Sequence, residues 1–163
     1  MTLIELALTY QGKAFKEGWQ DCMTTASNLY TEYAGLAIRD YARPSLWYMH
    51  PQFDFVDQFC TQEGFVQVTS NPNAARVGDL IVMSLGRTTV ANHMGVYVGG
   101  NKILHHLTGL KSVVEEYTPR WRSRVMGIYR HPQVTKKIEG SQVNVVEHLP
   151  YGLRVKLNGQ NDD

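Results

Sequence analysis

Residues 93–107 read HMGVYVGGNKILHHL. Two apolar runs, His93 to Val98 and Ile103 to Leu107, flank the triplet Gly99-Gly100-Asn101. Glycine and asparagine tolerate the positive φ angles that tight hairpin turns require. The stretch therefore predicts a β-hairpin.

The hairpin lies among other strand-like runs, and helical patterns precede them all. The predicted helices are the segment from Leu3 to Tyr10, a second helix from Cys22 to Gly35–Ala37 with Asp21 as its N-cap, and a third from Pro51 to Gly64. The further predicted strands are Phe65 to Val68, Asp79 to Leu85, Val113 to Tyr117 and Val125 to Arg130. Helices followed by strands predict an α+β fold, with N-terminal helices packed on an antiparallel sheet of about five to six strands.

Length and charge limit the classes of protein to consider. The chain has 163 residues, which suits one domain, and 16 Lys and Arg against 15 Asp and Glu. This balance argues against a nucleic-acid or membrane-surface protein, which would need a concentrated basic patch. The first residues lack the basic segment of a secretory signal, and no apolar run approaches the roughly 18 residues that span a bilayer. We therefore expect no nucleic acid as a partner and no membrane insertion.

The composition becomes polar from Lys136 to Gly140. We therefore predict a domain over residues 1–134 and a linker and tail over residues 135–163. The tail has two apolar runs, Val143 to Val146 and Leu153 to Leu157, which predict a small hairpin or an edge strand. Its last five residues, 159–163, are expected to be disordered.

Cys22 and Cys60 are the two cysteines, too few for a disulfide scaffold or a CxxC zinc site. Cys22 follows the predicted cap Asp21, at a helix start where backbone N–H groups lower a thiol pKa and favour the thiolate. It is thus a candidate nucleophile. The alternative is that Cys22 is a small buried hydrophobe that begins the apolar face of its helix. Cys60, within an apolar helix face, is predicted to be structural.

Three histidines, His93, His105 and His106, lie on the predicted hairpin. A thiolate nucleophile needs a base, and the base needs an orienting group. Side chains alternate across a sheet, so only one of His105 and His106 can share a face with His93. A three-residue turn would pair Val98 with Lys102, set Gly95 opposite His105, and place His105 diagonal to His93. A two-residue turn would bring His106 there instead, and the pattern leaves both open.

Two other interpretations of these histidines remain. They can be ordinary strand residues with satisfied hydrogen bonds. A zinc site with Cys22 is disfavoured, because the spacing is not that of metal ligands and His105 and His106 cannot converge. Gly95, between His93 and Tyr97, indicates that another group approaches that backbone closely.

The order of these motifs resembles the NlpC/P60 cysteine peptidases over about residues 3 to 132. The similar features are Asp21-Cys22 opening a helix, Gly78-Asp79-Leu80 opening a strand, the run from His93 to Gly99, and His105 twelve residues after His93. More narrowly, the chain resembles the members carried in the tail tips of lambda-type bacteriophages. That narrower resemblance rests on residues 12–15, 40–43, Trp47, Asn92, 104–107, Ser112, Glu115, Trp121 and 130–131.

The resemblance implies a papain-like α+β fold, with Cys22 as nucleophile, His93 as general base and then acid, and His105 as the orienting group. The family spacing selects His105, which leaves His106 pointing away, into packing or towards a neighbouring subunit. No metal and no organic cofactor are implied. Two positions depart from the family pattern: Phe15 replaces a tyrosine, and Met23-Thr24 replaces Ser-Gly.

The implied activity is hydrolysis of amide bonds in peptidoglycan peptides, at a bond that involves a D-amino acid. The implied partners are the peptidoglycan peptide substrate and other phage tail-tip proteins. The implied location is the virion tail tip, made in the host cytoplasm and acting at the bacterial cell wall. Two alternatives remain: a structural tail-tip assembly component with little or no activity, and an enzyme that uses the same chemistry for acyl transfer or for processing another phage protein.

Overall fold

The computed structural model describes residues 1–50 and 52–147. The helices are α1 (Leu3–Thr9), α2 (Cys22–Ala34), α3 (Phe55–Gln62), α4 (Pro119–Arg122) and α5 (Pro132–Glu147), with short 3-10 turns at Trp47–Met49 and Pro72–Ala74. The strands are β1 (Val66–Thr69), β2 (Leu80–Met83), β3 (His93–Gly99), β4 (Lys102–His105), β5 (Val113–Glu116) and β6 (Val125–Arg130).

The six strands form one sheet in the order β1-β6-β2-β3-β4-β5, and every neighbouring pair is antiparallel. The helices α1, α2 and α3 precede all of the strands. The predicted α+β class, with N-terminal helices on an antiparallel sheet, is confirmed.

Side-chain caps define where the first three helices begin. Thr2 and Glu5 form a reciprocal capping box at α1. The Asp21 carboxylate accepts a hydrogen bond from Thr24 N at α2, and Asp54 accepts one from Asp57 N at α3. The third helix was predicted from Pro51, which lies outside the described residues, and the observed helix begins at Phe55 because Asp54 caps it there.

The hairpin between β3 and β4 has Gly95 opposite His105, which is the register of the three-residue turn. The predicted pairing of Val98 with Lys102 is wrong, because an irregularity between Tyr97 and Gly99 pairs Lys102 with Gly99. Gly99, Gly100 and Asn101 all have positive φ, as the turn requires.

Two apolar clusters lie on the two faces of the sheet. The larger one packs α1, α2 and α3 against alternate residues of β2, β3 and β4, among them Val82, Met94 and Leu104. The smaller one lies on the opposite face and is built by Ile81, Met83, Ile103, Tyr117, Trp121 and Ile128. His93 and His105 alternate with Met94 and Leu104, so they share the face of the smaller cluster.

The helix α5 corrects the prediction for the C-terminal segment. Val143 to Val146 are helical and not a strand, and the polar stretch from Lys136 to Gly140 lies inside the same helix. Val134 is buried in the core and Ile138 packs against it, and a Cβ on Gly78 would lie 2.8 Å and 2.7 Å from these two side chains. Leu153 to Leu157 and residues 159–163 lie outside the described residues. The boundary at residue 134 stays a prediction.

Within residues 1–50 and 52–147, none of the helices combines the length and apolarity needed to cross a bilayer.

Candidate active site

Cys22 is the first residue of α2, directly after the cap Asp21. Its side chain is buried, with 5% of its surface exposed. Burial raises the pKa of its thiol, and the nearby backbone N–H of Met94, the second residue of β3, partly opposes that rise. The helix therefore carries Cys22 to the beginning of the strand that opens with His93.

An ion pair with Arg43 holds the Asp21 cap in place. Arg43 Nε lies 2.9 Å from Asp21 Oδ2 and Nη2 lies 3.2 Å from Oδ1, and both side chains are almost fully buried. The same guanidinium donates to the carbonyl oxygens of Tyr41 and Gly18 and to Thr24 Oγ1. This network fixes the first turn of α2 to the loop before α3. The sequence showed Arg43 only as part of the phage-like segment 40–43.

The structure brings His93 and His105 together. His93 Nε2 lies 2.9 Å from His105 Nδ1, and both side chains are buried. A Cβ on Gly95, which pairs directly with His105, would lie only 3.1 Å from His105 Cβ and from Leu104 O. Glycine at this position thus leaves the room that His105 needs beside β3, in agreement with the close approach predicted there.

Two further residues surround His105. Its Nε2 lies 2.6 Å from Glu115 Oε1 on β5, and its ring meets the Trp121 indole in a T-shaped contact with centroids 4.7 Å apart. The sequence pattern included Glu115 and Trp121 in the phage-like set without assigning them a role. The alternation of side chains along β5 could have indicated Glu115, because this residue lies on the same face as Val113, which pairs with His105.

The thiol and the imidazole are not joined by a hydrogen bond: the hydrogen bonds of the described residues include none between Cys22 Sγ and His93. Burial raises the pKa of Cys22 to about 12, with a further rise from the Asp21 charge, against opposing effects of Met94 N–H and Arg43. Burial likewise lowers the pKa of His93 well below 6.5, assisted by His105 and His106. Both groups are therefore neutral at rest, and the predicted lowering of the thiol pKa is wrong because desolvation outweighs the helix terminus.

His106 points to the opposite face of the sheet, as alternation requires, and packs against α2. Its Nε2 donates to Leu110 O at 3.0 Å, and its Nδ1 lies 3.2 Å from Thr25 Oγ1. Its ring and that of Phe15 form a T-shaped contact with centroids 5.7 Å apart. His106 is thus a packing residue that fastens the loop after β4, and Phe15 is part of that packing.

A surface cleft of about 540 Å³ opens beside His93. Its walls are the loop from Leu85 to Thr88, the loop from Leu107 to Leu110, and the aromatic segment at Tyr48 and Met49. Asn92 ties two of these walls together, because its amide bonds to Leu85 N, Leu85 O and Tyr48 O. Met23 does not line this cleft: it is buried and its sulfur contacts Arg43.

Cys60 is fully buried in α3, far along the chain from these groups. Among the residues that the structure describes, no cluster of three His, Cys, Asp or Glu side chains has an arrangement that could hold a metal ion.

Comparison with known proteins gives consistent matches. The NlpC/P60 family matches residues 8–130. The chain is 32% identical over 120 residues to "Tail tip assembly protein K" of Escherichia phage lambda, covering 74% of this chain and 58% of that protein. It is 30% identical over 123 residues to the protein of the same name in Escherichia phage N15, covering 75% and 49%. The chain thus spans about half the length of these curated relatives.

The fold also matches solved structures. A crystal structure of an NLP/P60-family protein similar to a lipoprotein, from Staphylococcus aureus, superimposes with a TM-score of 0.54 at 20% identity. The match covers 79% of this chain and 40% of that one.

Proposed function

The chain belongs to the NlpC/P60 family, and from that premise we propose that it is a cysteine peptidase that hydrolyses amide bonds in peptidoglycan peptides as part of a bacteriophage tail tip. The single observation that carries the proposal is the placement of Cys22 at the start of α2, beside β3. The first residue of β3 is His93, which is hydrogen-bonded to His105. Nucleophile, base and orienting group are the parts that thiol hydrolysis requires.

In the first half of the reaction, the Cys22 thiol transfers its proton to His93. His93 Nε2 faces His105, so Nδ1 is the ring nitrogen left to accept that proton. As it does so, Cys22 Sγ bonds to the carbonyl carbon of the scissile amide. The Cys22 N–H, at the first position of a helix, has no partner within the helix and can donate to the developing oxyanion.

The second half restores the enzyme. His93 gives its proton to the amide nitrogen, the C–N bond breaks, and the amine leaves a thioester on Cys22. His93 then takes a proton from water, the hydroxide adds to the thioester, and the carboxylic acid departs as the thiol is reprotonated. Since the resting pair is neutral, proton transfer accompanies attack and does not precede it.

The names of the relatives support a place of action for this chain. Two of them are named tail tip assembly proteins, so we place the chain in the virion tail tip, made in the host cytoplasm, in contact with other tail-tip proteins and acting at the bacterial cell wall. The cleft beside His93 is of a size that takes a short peptide.

The test is digestion of purified peptidoglycan, with released peptides identified by mass spectrometry. We expect the wild-type chain to release new peptide termini, and Cys22→Ala and His93→Ala to release none. Cys60→Ala is the matched control, because it removes the other buried thiol and leaves the site intact. Cleavage that persists in Cys22→Ala would refute the proposal.

A structural role in tail-tip assembly, with little or no turnover, is the second candidate. The burial of Cys22 and the assembly names of both relatives favour it. An inactive wild-type protein that still associates with tail-tip proteins would select this candidate. Products found on tail proteins and absent from peptidoglycan would instead select processing of a phage protein, or acyl transfer to one.

A further inference from the structure

Glu115 lies at the end of a line of polar groups that crosses three neighbouring strands. The line runs from His93 on β3 to His105 on β4 and Glu115 on β5, with contacts of 2.9 Å and 2.6 Å. Each step is a diagonal on one face of the sheet, because His105 is paired with Gly95 and Val113. The ordinary strand registers therefore bring the three side chains together.

The chemistry of these contacts fixes where the protons lie. A carboxylate can only accept a hydrogen bond, so His105 Nε2 must carry the proton that bonds to Glu115. Neutral His105 then has a bare Nδ1, which can only accept. The donor between the two rings must be His93 Nε2–H, and this leaves the lone pair of His93 on Nδ1.

Without the Glu115 carboxylate, His93 and His105 could equally adopt the opposite arrangement of their ring protons. His105 Nδ1–H would donate to His93 Nε2, and the proton of neutral His93 would lie on Nδ1. In that tautomer the nitrogen left for the thiol has no lone pair, so His93 could not act as base. The two arrangements make the same ring-to-ring contact and differ only in what lies beyond His105.

We infer that Glu115 is a positioning residue that selects the base-competent tautomer of His93 through His105. The inference rests on the proposed function for its catalytic consequence, but the tautomer itself does not depend on turnover. The Glu115 side chain is 39% exposed, whereas His105 is sealed between β3, β5 and the Trp121 ring. Glu115 therefore links the buried pair of His93 and His105 to a carboxylate that faces solvent.

The variants follow from hydrogen-bond chemistry. Glu115→Gln retains an oxygen that can accept from His105 Nε2–H, whereas Glu115→Ala removes the acceptor. Glu116→Ala is the matched control: it removes the neighbouring, exposed carboxylate of the same strand, on the other face of the sheet. Thermal unfolding of all variants verifies that they are folded.

The tautomers can be read directly from the ¹⁵N shifts of the imidazole nitrogens, without any substrate. We expect the wild-type protein, Glu115→Gln and Glu116→Ala to show His105 protonated on Nε2 and His93 protonated on Nε2. Glu115→Ala should show a mixture at both rings. His105 protonated on Nε2 alone in Glu115→Ala would overturn the inference.

Peptidoglycan cleavage gives the second readout. In Glu115→Ala we expect kcat to fall about tenfold or more with KM within about twofold, and in Glu115→Gln we expect kcat to be largely restored. Wild-type kcat in Glu115→Ala would overturn the catalytic consequence. If the wild-type protein cleaves nothing, the proposed function fails, while the ¹⁵N measurement still decides the role of Glu115.

Discussion

At the scale of single residues, the state of the Cys22 thiol is set by competing effects of known size. A helix N-terminus stabilises a nearby anion by about 0.3–1 kcal/mol. A rise of a thiol pKa from 9.0 to about 12 corresponds to about 4 kcal/mol against the thiolate. Desolvation therefore decides the outcome, and the resting group is the neutral thiol.

This neutral resting state predicts slow alkylation of Cys22. In Cys60→Ala, where Cys22 is the sole thiol, we expect iodoacetamide at about pH 7.5 to react at least about 100-fold more slowly than with free cysteine. The rate should keep rising with pH beyond about 9.5, since the pKa of Cys22 is raised to about 12. Mass spectrometry of the peptide that contains Cys22 measures this alkylation rate. A rate that levels off below about pH 7 would show a preformed thiolate–imidazolium pair and contradict this expectation.

The contact between His93 and His105 could be predicted from the sequence because their relation is local. The spacing of His93 and His105 across a short turn restricts them to two registers, and the family resemblance selected the observed one. Glu115 escaped assignment because its distance from His105 depends on the pairing of β4 with β5, across a longer connection. The burial of Cys22 was one of two alternatives, and the sequence pattern left both open because burial is a property of the folded chain.

At the scale of elements, the first turn of α2 depends on the pair of Asp21 and Arg43. The two side chains are 4% and 1% exposed. Removing one member of such a pair leaves the other charge buried without a partner, which costs about 3–5 kcal/mol. The position of Cys22 is thus linked to a residue 21 positions further along the chain.

We therefore predict that Arg43→Ala lowers the free energy of unfolding by about 3–5 kcal/mol, as measured by urea denaturation. Arg39→Ala is the matched control, because Arg39 is 62% exposed in its pair with Glu63 and its removal should change the free energy of unfolding far less. Equal, small losses in both variants would show that the Asp21 pair does not secure α2.

Strand positions were predictable to within a few residues, because alternation and turn residues are local signals; β6 was predicted with its observed bounds. The C-terminal helix α5 was not predictable, because Gly140 and a polar run interrupt the apolar periodicity of a helix. Its packing onto Gly78 through Val134 and Ile138 is a tertiary effect, which overrides the weak local propensity.

At the scale of the whole molecule, burial of histidines makes stability depend on pH. The pKa values of His93, His105, His106 and His131 are lowered from 6.5, in each case chiefly by burial. The unfolded chain therefore binds more protons than the folded chain below about pH 6.5. Stability from these groups is fully present above that pH and is lost as the pH falls below it.

We predict that the free energy of unfolding falls as the pH is lowered from about 6.5 to 5.5, by up to about 1.4 kcal/mol per pH unit for each histidine kept neutral. Urea denaturation at a series of pH values measures this. The carboxyl groups of Glu5 and Glu63 have pKa values lowered from 4.5, so their titration lies below this window. A free energy that stays constant down to about pH 5.5 would contradict the prediction.

The strand order shows where sequence reasoning ends at this scale. The neighbours β2 to β5 follow one another in the chain and are predictable as a meander. The insertion of β6 between β1 and β2 is not predictable from the sequence, because it pairs segments about 60 residues apart, such as Val66 with Arg130.

That insertion has a consequence for synthesis. The strands that carry His93, His105 and Glu115, β3 to β5, can pair as they leave the ribosome, since their contacts are local in the chain. Within residues 1–50 and 52–147, β1 pairs only with β6, and the side chains of Val66 and Val68 remain exposed even in the finished sheet. During translation, β1 therefore has unpaired backbone groups on both sides until Arg130 has been synthesised. We expect chaperones to bind the nascent chain at this segment.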